Sequence, residues 1–65
     1  MNWEQVKGNW LQVKGSIKSQ WGKITDDELD QIAGERDKLV GKIQERYGIA
    51  REEAEQQVNN FKYKM

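Results

Sequence analysis

The chain has 65 residues, with 11 lysines and arginines balanced by 11 aspartates and glutamates, and it contains no histidine, cysteine or proline. A chain this short supports one domain over 1–65 and buries only about 60% of the surface its unfolded form exposes, which argues against a deep catalytic cleft. Without His or Cys it lacks the usual ligands for zinc, the Ser-His and Cys-His nucleophile pairs and any disulfide, so the composition points to a non-enzymatic protein with no metal or cofactor.

Trp3, Val6, Trp10, Val13, Ile17 and Trp21 step by 3, 4, 3, 4 and 4. That spacing predicts one first helix whose apolar stripe spans about 80° of its surface. Gly22 stands where a left-handed residue at C′ would end it. Thr25, with Glu28 three residues on, forms a capping box that starts a short second helix over about 26–33, with Leu29, Ile32 and Ala33 turned inward. Asp26, Asp27, Glu28 and Asp30 lack the alternation and central Gly of a calcium loop, and the positive end of the helix accounts for them. Gly34 offers a break before a third helix that begins at Glu35 and turns Leu39, Val40, Ile43 and Tyr47 inward. An interior Gly costs only about 1 kcal/mol, so a single long bent helix is the alternative. Gly48 repeats the stop, and a last helix from about residue 50 presents Ala54, Val58 and Phe61 on one face. Glu52 and Glu53 stand at its positive end. No stretch alternates as a strand does, and the predicted class is all-α.

The six glycines fall at 8, 15 and 22 and again at 34, 41 and 48, two sets with one spacing of seven and an offset of 26. Shifting the chain by 26 lays Gly15-Ser16-Ile17 over Gly41-Lys42-Ile43 and Trp21-Gly22 over Tyr47-Gly48. The halves, about 1–33 and 34–65, read as two helical hairpins, each obliged to pack on the other to bury its apolar face. Gly8, Gly15 and Gly41 lie within predicted helices, about 170° from the apolar stripe. They form either a tolerated solvent face that lowers helix stability or a small-residue surface that lets a partner approach.

Net zero charge is a sum over patches. Residues 1–24 carry +3, residues 25–37 carry −5 and residues 38–51 return to +3. Lys7, Lys14 and Lys18 edge the tryptophan stripe as snorkelling lysines edge an interfacial helix. The simpler role for the tryptophans is core, since a small bundle without disulfides needs large side chains. Tyr47-Gly48-Ile49-Ala50 is similar to the turn of a helix-hairpin-helix, but Ala50 replaces its second glycine and Glu52 and Glu53 would repel phosphate, so specific nucleic-acid binding is not expected. Glu35-Arg36-Asp37-Lys38 and Glu45-Arg46 read as a solvated, ion-paired surface. No apolar run approaches the ~20 residues of a membrane span and the start lacks a signal-peptide pattern, which predicts a cytoplasmic protein.

Gly8-Asn9-Trp10, Lys14-Gly15 and Trp21-Gly22-Lys23-Ile24-Thr25-Asp26-Asp27 resemble the first half of the CsbD-like proteins. The run from Gly34-Glu35-Arg36-Asp37-Lys38-Leu39 through Arg46-Tyr47-Gly48, then Ala54-Glu55 and Val58, resembles their second half. The likeness covers about residues 8–58 and leaves the tail from Phe61 to Met65 outside it. It implies a bacterial cytoplasmic protein of general stress, induced in stationary phase or under osmotic challenge, with no enzyme activity and no catalytic residues to carry over. For the fold it implies a bundle of about four helices, two hairpins packed across one another in a SAM-domain-like arrangement. Two functions stay open. One is an interaction module offering Lys7, Lys14 and Lys18, or Gly8, Gly15 and Gly41, to a protein partner. The other is an abundant protectant of stressed macromolecules, which the mean hydropathy of −1.06 favours. Weak binding to nucleic acid or an anionic membrane is a further alternative.

Overall fold

The computed structural model describes residues 2–61, and the tail beyond Phe61 lies outside the described residues. Five helices follow in order: α1 (Trp3–Gly8), α2 (Trp10–Gln20), α3 (Asp26–Ile32), α4 (Arg36–Tyr47) and α5 (Arg51–Asn60), with no strand among the described residues. The α4–α5 pair is the most extensive contact, α3 packs on α4, and α2 packs on both α1 and α3. The smallest dimension, 17 Å, fits two layers of helices at a spacing of about 8–10 Å.

One core joins all five helices. Val6 of α1, Trp10, Val13 and Ile17 of α2, Trp21 just beyond it, Leu29 and Ile32 of α3, Leu39, Val40 and Ile43 of α4, and Ala54 and Val58 of α5 are buried together. Trp3, Tyr47 and Phe61 are partly buried and pack against its edge, as does Ile49. The two buried indoles satisfy their N–H groups: Trp10 Nε1 donates to the Leu29 carbonyl at 2.8 Å and Trp21 Nε1 to Gln57 Oε1 at 2.9 Å. The rings therefore gain burial without stranding a polar atom.

The expected first helix is two helices, which makes five where about four were predicted. The chain leaves helical geometry at Asn9, at φ −112° and ψ 27°. Gly8 and Asn9 are adjacent weak helix formers, and Asn9 Nδ2 donates to the Gln5 carbonyl at 3.2 Å, a local bond that competes with the helix ladder. The apolar stripe survives the break, because Val6 and Trp10 on either side are both buried. Asn2 caps α1, its Oδ1 accepting from the Glu4 N–H at 2.8 Å.

Gly22 does not take the left-handed conformation expected of it. Helix α2 ends at Trp21 with φ −125° and ψ 74°. Lys18 serves this end: its Nζ donates to the carbonyls of Gly22 at 3.0 Å and Ile24 at 2.6 Å, which places a cation at the negative end of the helix. The capping box forms, with the Glu28 N–H on Thr25 Oγ1 at 3.2 Å and the Thr25 N–H on Glu28 Oε1 at 3.0 Å. Ile24 and Leu29 bracket it at the two positions of a hydrophobic staple, and both are fully buried.

Helix α3 is shorter than expected, and Ala33 is not inward. Ala33 is the exposed left-handed cap of α3 at φ 51°, so its methyl cannot join the row of Leu29 and Ile32. Gly34 follows at φ 83°, and the two positive φ values in succession separate α3 from α4 and exclude the single bent helix. Gly34 answers a second demand as well. A Cβ at this position would stand 2.6 Å from Lys7 Cα, so the turn runs directly against the α1 backbone. Gly48 ends α4 in the left-handed conformation at φ 63°, its N–H reaching the Gln44 carbonyl at 2.9 Å.

Candidate functional site

Each of the three lysines predicted to edge an interaction surface holds an internal partner. Lys7 Nζ lies 3.7 Å from Glu35, Lys14 Nζ lies 2.7 Å from Asp30, and Lys18 donates to the two carbonyls described above. The Asp30 bond raises the Lys14 ammonium above its ordinary value, and Lys38, then Lys7, hold the Glu35 carboxyl below its own. These are ties between elements: α1 to the turn before α4, α2 to α3, and α2 to the loop after it.

Gly8 and Gly15 face solvent, and a Cβ on either, or on Gly41, would meet nothing within 4 Å. Between the first two stands Leu11, 81% exposed, the one large hydrophobic side chain exposed among the described residues. Gly8 lines a shallow groove with Asn9 and Leu11, whereas Gly41 lines another, between α3 and α4, with Ile32, Lys38 and Lys42. The three glycines therefore do not form one surface. Gly15→Ala and Gly41→Ala should each raise stability by about 1 kcal/mol, read from the denaturant midpoint, because alanine restores helix propensity in open space. A loss of stability in either would show that the position tolerates no side chain.

The densest polar cluster was not read from the sequence as one site. Glu28 is only 8% exposed, and its carboxylate accepts from Arg46, with Nε at 3.0 Å to both oxygens and Nη2 closing the fork on Oε2. Lys42 Nζ adds a contact at 3.3 Å. Arg46, followed by the Thr25 N–H and by Lys42, pulls the Glu28 carboxyl from its ordinary 4.5 down to about 2, against the opposing effect of burial. Arg46 is thus more than part of a solvated run. It ties the C-terminal end of α4 to the first turn of α3. Lys42 and Glu45 pair at the surface at 3.5 Å.

The turn at Tyr47-Gly48 is likewise built into the structure. Tyr47 Oη accepts from the Lys23 N–H at 3.2 Å, and Lys23 Nζ lies 5.1 Å from the center of the Tyr47 ring. Glu52 and Glu53 are exposed in the first turn of α5, where a phosphate would have to approach this turn. In the run Glu35-Arg36-Asp37-Lys38, Arg36 bonds Asn59 at 2.8 Å and Asp37 pairs with Arg51 at 3.4 Å, which joins the start of α4 to α5. Among the described residues no group of three acidic, His or Cys side chains is arranged to hold a metal ion, and no helix is long and apolar enough to cross a membrane.

A family model described as CsbD-like matches residues 4–56. The chain belongs to the CsbD-like family. The CsbD-like relative "UPF0337 protein NE2439" of Nitrosomonas europaea is 60% identical over 61 residues, which is 94% of this chain but 65% of that protein, so the chain spans just under two-thirds of its length. "UPF0337 protein ECA0631" of Pectobacterium atrosepticum is 56% identical over 94% of this chain and 88% of its own. "UPF0337 protein YjbJ" of Escherichia coli strain K12 is 57% identical over 89% of this chain and 84% of its own. The CsbD-like match takes in Leu11, the Glu28 cluster and Gly34. It stops short of Gln57 and Phe61, the two α5-side contacts of Trp21.

Proposed function

We propose that this protein serves a general stress response in the bacterial cytoplasm, as a non-enzymatic module that binds a protein partner. Membership of the CsbD-like family supports the stress role. The observation that carries the binding role is the outer face of α1 and α2, where Leu11 projects between two bare glycines while the other large apolar side chains among the described residues lie in or against the core. An apolar side chain flanked by glycines lets a partner surface approach the helix backbone closely. The 26-residue offset of the glycines supports reading the halves 1–33 and 34–65 as duplicated hairpins, and the CsbD-like resemblance implies that they pack in a SAM-domain-like manner; on this reading the face belongs to the first hairpin.

Leu11→Lys tests the proposal, since the side chain is exposed and the change should leave the melting temperature within a degree or two. Saturable capture of one protein from stressed cells by the parent chain, lost with Leu11→Lys, is the expected result. Equal capture by both chains would remove this face from the proposal. The second reading, a hydrophilic protectant, is favoured by the mean hydropathy of −1.06. It predicts concentration-dependent protection of unrelated proteins from aggregation that Leu11→Lys does not change.

A further inference from the structure

Helix α3 is held in place differently from its neighbours. It carries Asp26, Asp27, Glu28 and Asp30 and no basic residue, whereas α2, on one side, carries Lys14 and Lys18 and no acidic residue. On the other side α4 presents Lys42 and Arg46 to Glu28, with Glu45 beside Lys42. The polar ties from α3 to its neighbours are Lys14 on Asp30, Arg46 and Lys42 on Glu28, and the Trp10 indole on the Leu29 carbonyl. All but the last require an ionised carboxylate. Asp26 adds a favourable field at Lys14. Glu28 also closes the capping box that starts the helix.

The links among Trp21, α4 and α5 include neutral partners, although α1 is tied through Lys7–Glu35 and α4 to α5 also through Asp37–Arg51. Trp21 reaches α5 through the amide of Gln57 and through the Phe61 ring, whose center is 5.3 Å away. Arg36 joins α4 to α5 through the amide of Asn59 as well as through Glu55 at 3.7 Å. The α4–α5 pair also has the most extensive packing in the molecule, and α3 has only 7 residues. Acid therefore removes most of the polar ties that fix α3, leaving it the packing of Leu29 and Ile32 and the Trp10 bond, while neutral links remain among Trp21, α4 and α5.

We propose that α3 is an acid-released segment: protonation of its carboxylates unlocks it from α2 and α4 and uncovers the apolar face of Ile24, Leu29 and Ile32, while the α4–α5 hairpin stays folded. The direction of the pH dependence follows from Glu28. Its carboxyl is lowered on folding, so the stabilisation it supplies is complete above pH 4.5 and drains away as the pH falls toward about 2. Lys14 and Arg46, both raised by their carboxylate partners, keep their charge across that range. Once Glu28 is neutral, Lys42 and Arg46, one turn apart on α4, lose the carboxylate that both of them contact.

The test is amide hydrogen exchange on the full chain between pH 6 and pH 2.5, read as protection relative to the intrinsic rate at each pH, beside binding of an apolar fluorescent dye and far-ultraviolet circular dichroism. The expected result is a loss of protection of roughly tenfold or more at the Leu29 and Ala33 N–H groups by pH 3, since each pKa unit of coupling is worth tenfold. The Ile43 and Val58 amides keep their protection, dye emission rises, and most helical signal remains. Glu28→Gln should loosen α3 already at pH 6 and flatten its response between pH 4.5 and pH 2. If Glu28→Gln does not fold, Asp30→Asn removes only the ionic tie to α2, leaving the Trp10 bond, and should move the release to higher pH. Loss of protection in α3, α4 and α5 together would overturn the proposal in favour of global unfolding, as would an α3 that stays protected to pH 2.5.

Discussion

Trp10→Ala is expected to unfold much of the domain at room temperature. Truncating a large core aromatic costs about 3–5 kcal/mol, and at roughly 0.05–0.15 kcal/mol per residue a domain of this length has only about 3–10 kcal/mol in total. Trp10 also donates to the Leu29 carbonyl, so the substitution opens a cavity between α2 and α3 and removes one of their hydrogen bonds at once. Thermal and urea unfolding monitored by circular dichroism give the measurement. Trp10→Phe is the milder test, because it keeps a six-membered ring in the core while losing the indole N–H and the rest of the fused ring; leaving the Leu29 carbonyl unpaired costs about 1–3 kcal/mol of the total. A Trp10→Ala protein that melts with the parent would mean that this indole does not hold α2 to α3.

Gly34→Ala carries the second large effect, and its size can be divided by comparison. Gly34 and Gly48 both have left-handed backbones, at φ 83° and 63°, and alanine at either pays about 1–2 kcal/mol for that conformation. A Cβ at position 48 would meet nothing within 4 Å, whereas at position 34 it would collide with the Lys7 backbone. Overpacking of this kind adds about 1–3 kcal/mol. Gly34→Ala should therefore lower stability by about 2–5 kcal/mol in all and by clearly more than Gly48→Ala, both read from urea midpoints. The excess measures the contact between α1 and the α3–α4 turn. Equal losses in the two variants would show that α1 moves aside without cost.

What the sequence made legible was whatever depends on near neighbours. The spacing of Val6, Trp10, Val13 and Ile17 marks a buried stripe because a helix repeats every 3.6 residues, and Thr25 with Glu28 marks a helix start because the box closes within one turn. Ile24 could have been found the same way, as the staple residue preceding that box. The break at Asn9 was hidden, because the apolar stripe runs through it without interruption and argues for continuity. Gly22 and Ala33 misled in opposite ways. Lysine capping removed the need for a left-handed Gly22, while the tight turn into Gly34 imposed that conformation on an alanine. The Glu28–Arg46 pair joins residues 18 apart in sequence. No local period reports it, and it became visible only once α3 and α4 were set side by side.

The order of packing along the chain has a consequence for time as well as for shape. Each helix rests chiefly on the helix before or after it, so few contacts wait for distant segments to meet, and chains of this topology fold in microseconds to milliseconds. The absence of proline and cysteine removes the two slowest steps a small chain can face, prolyl isomerisation and disulfide exchange. A molecule unfolded by heat or acid should regain its structure within milliseconds of the insult passing. For such a chain, recovery is governed by the return of mild conditions and needs neither an isomerase nor an oxidant.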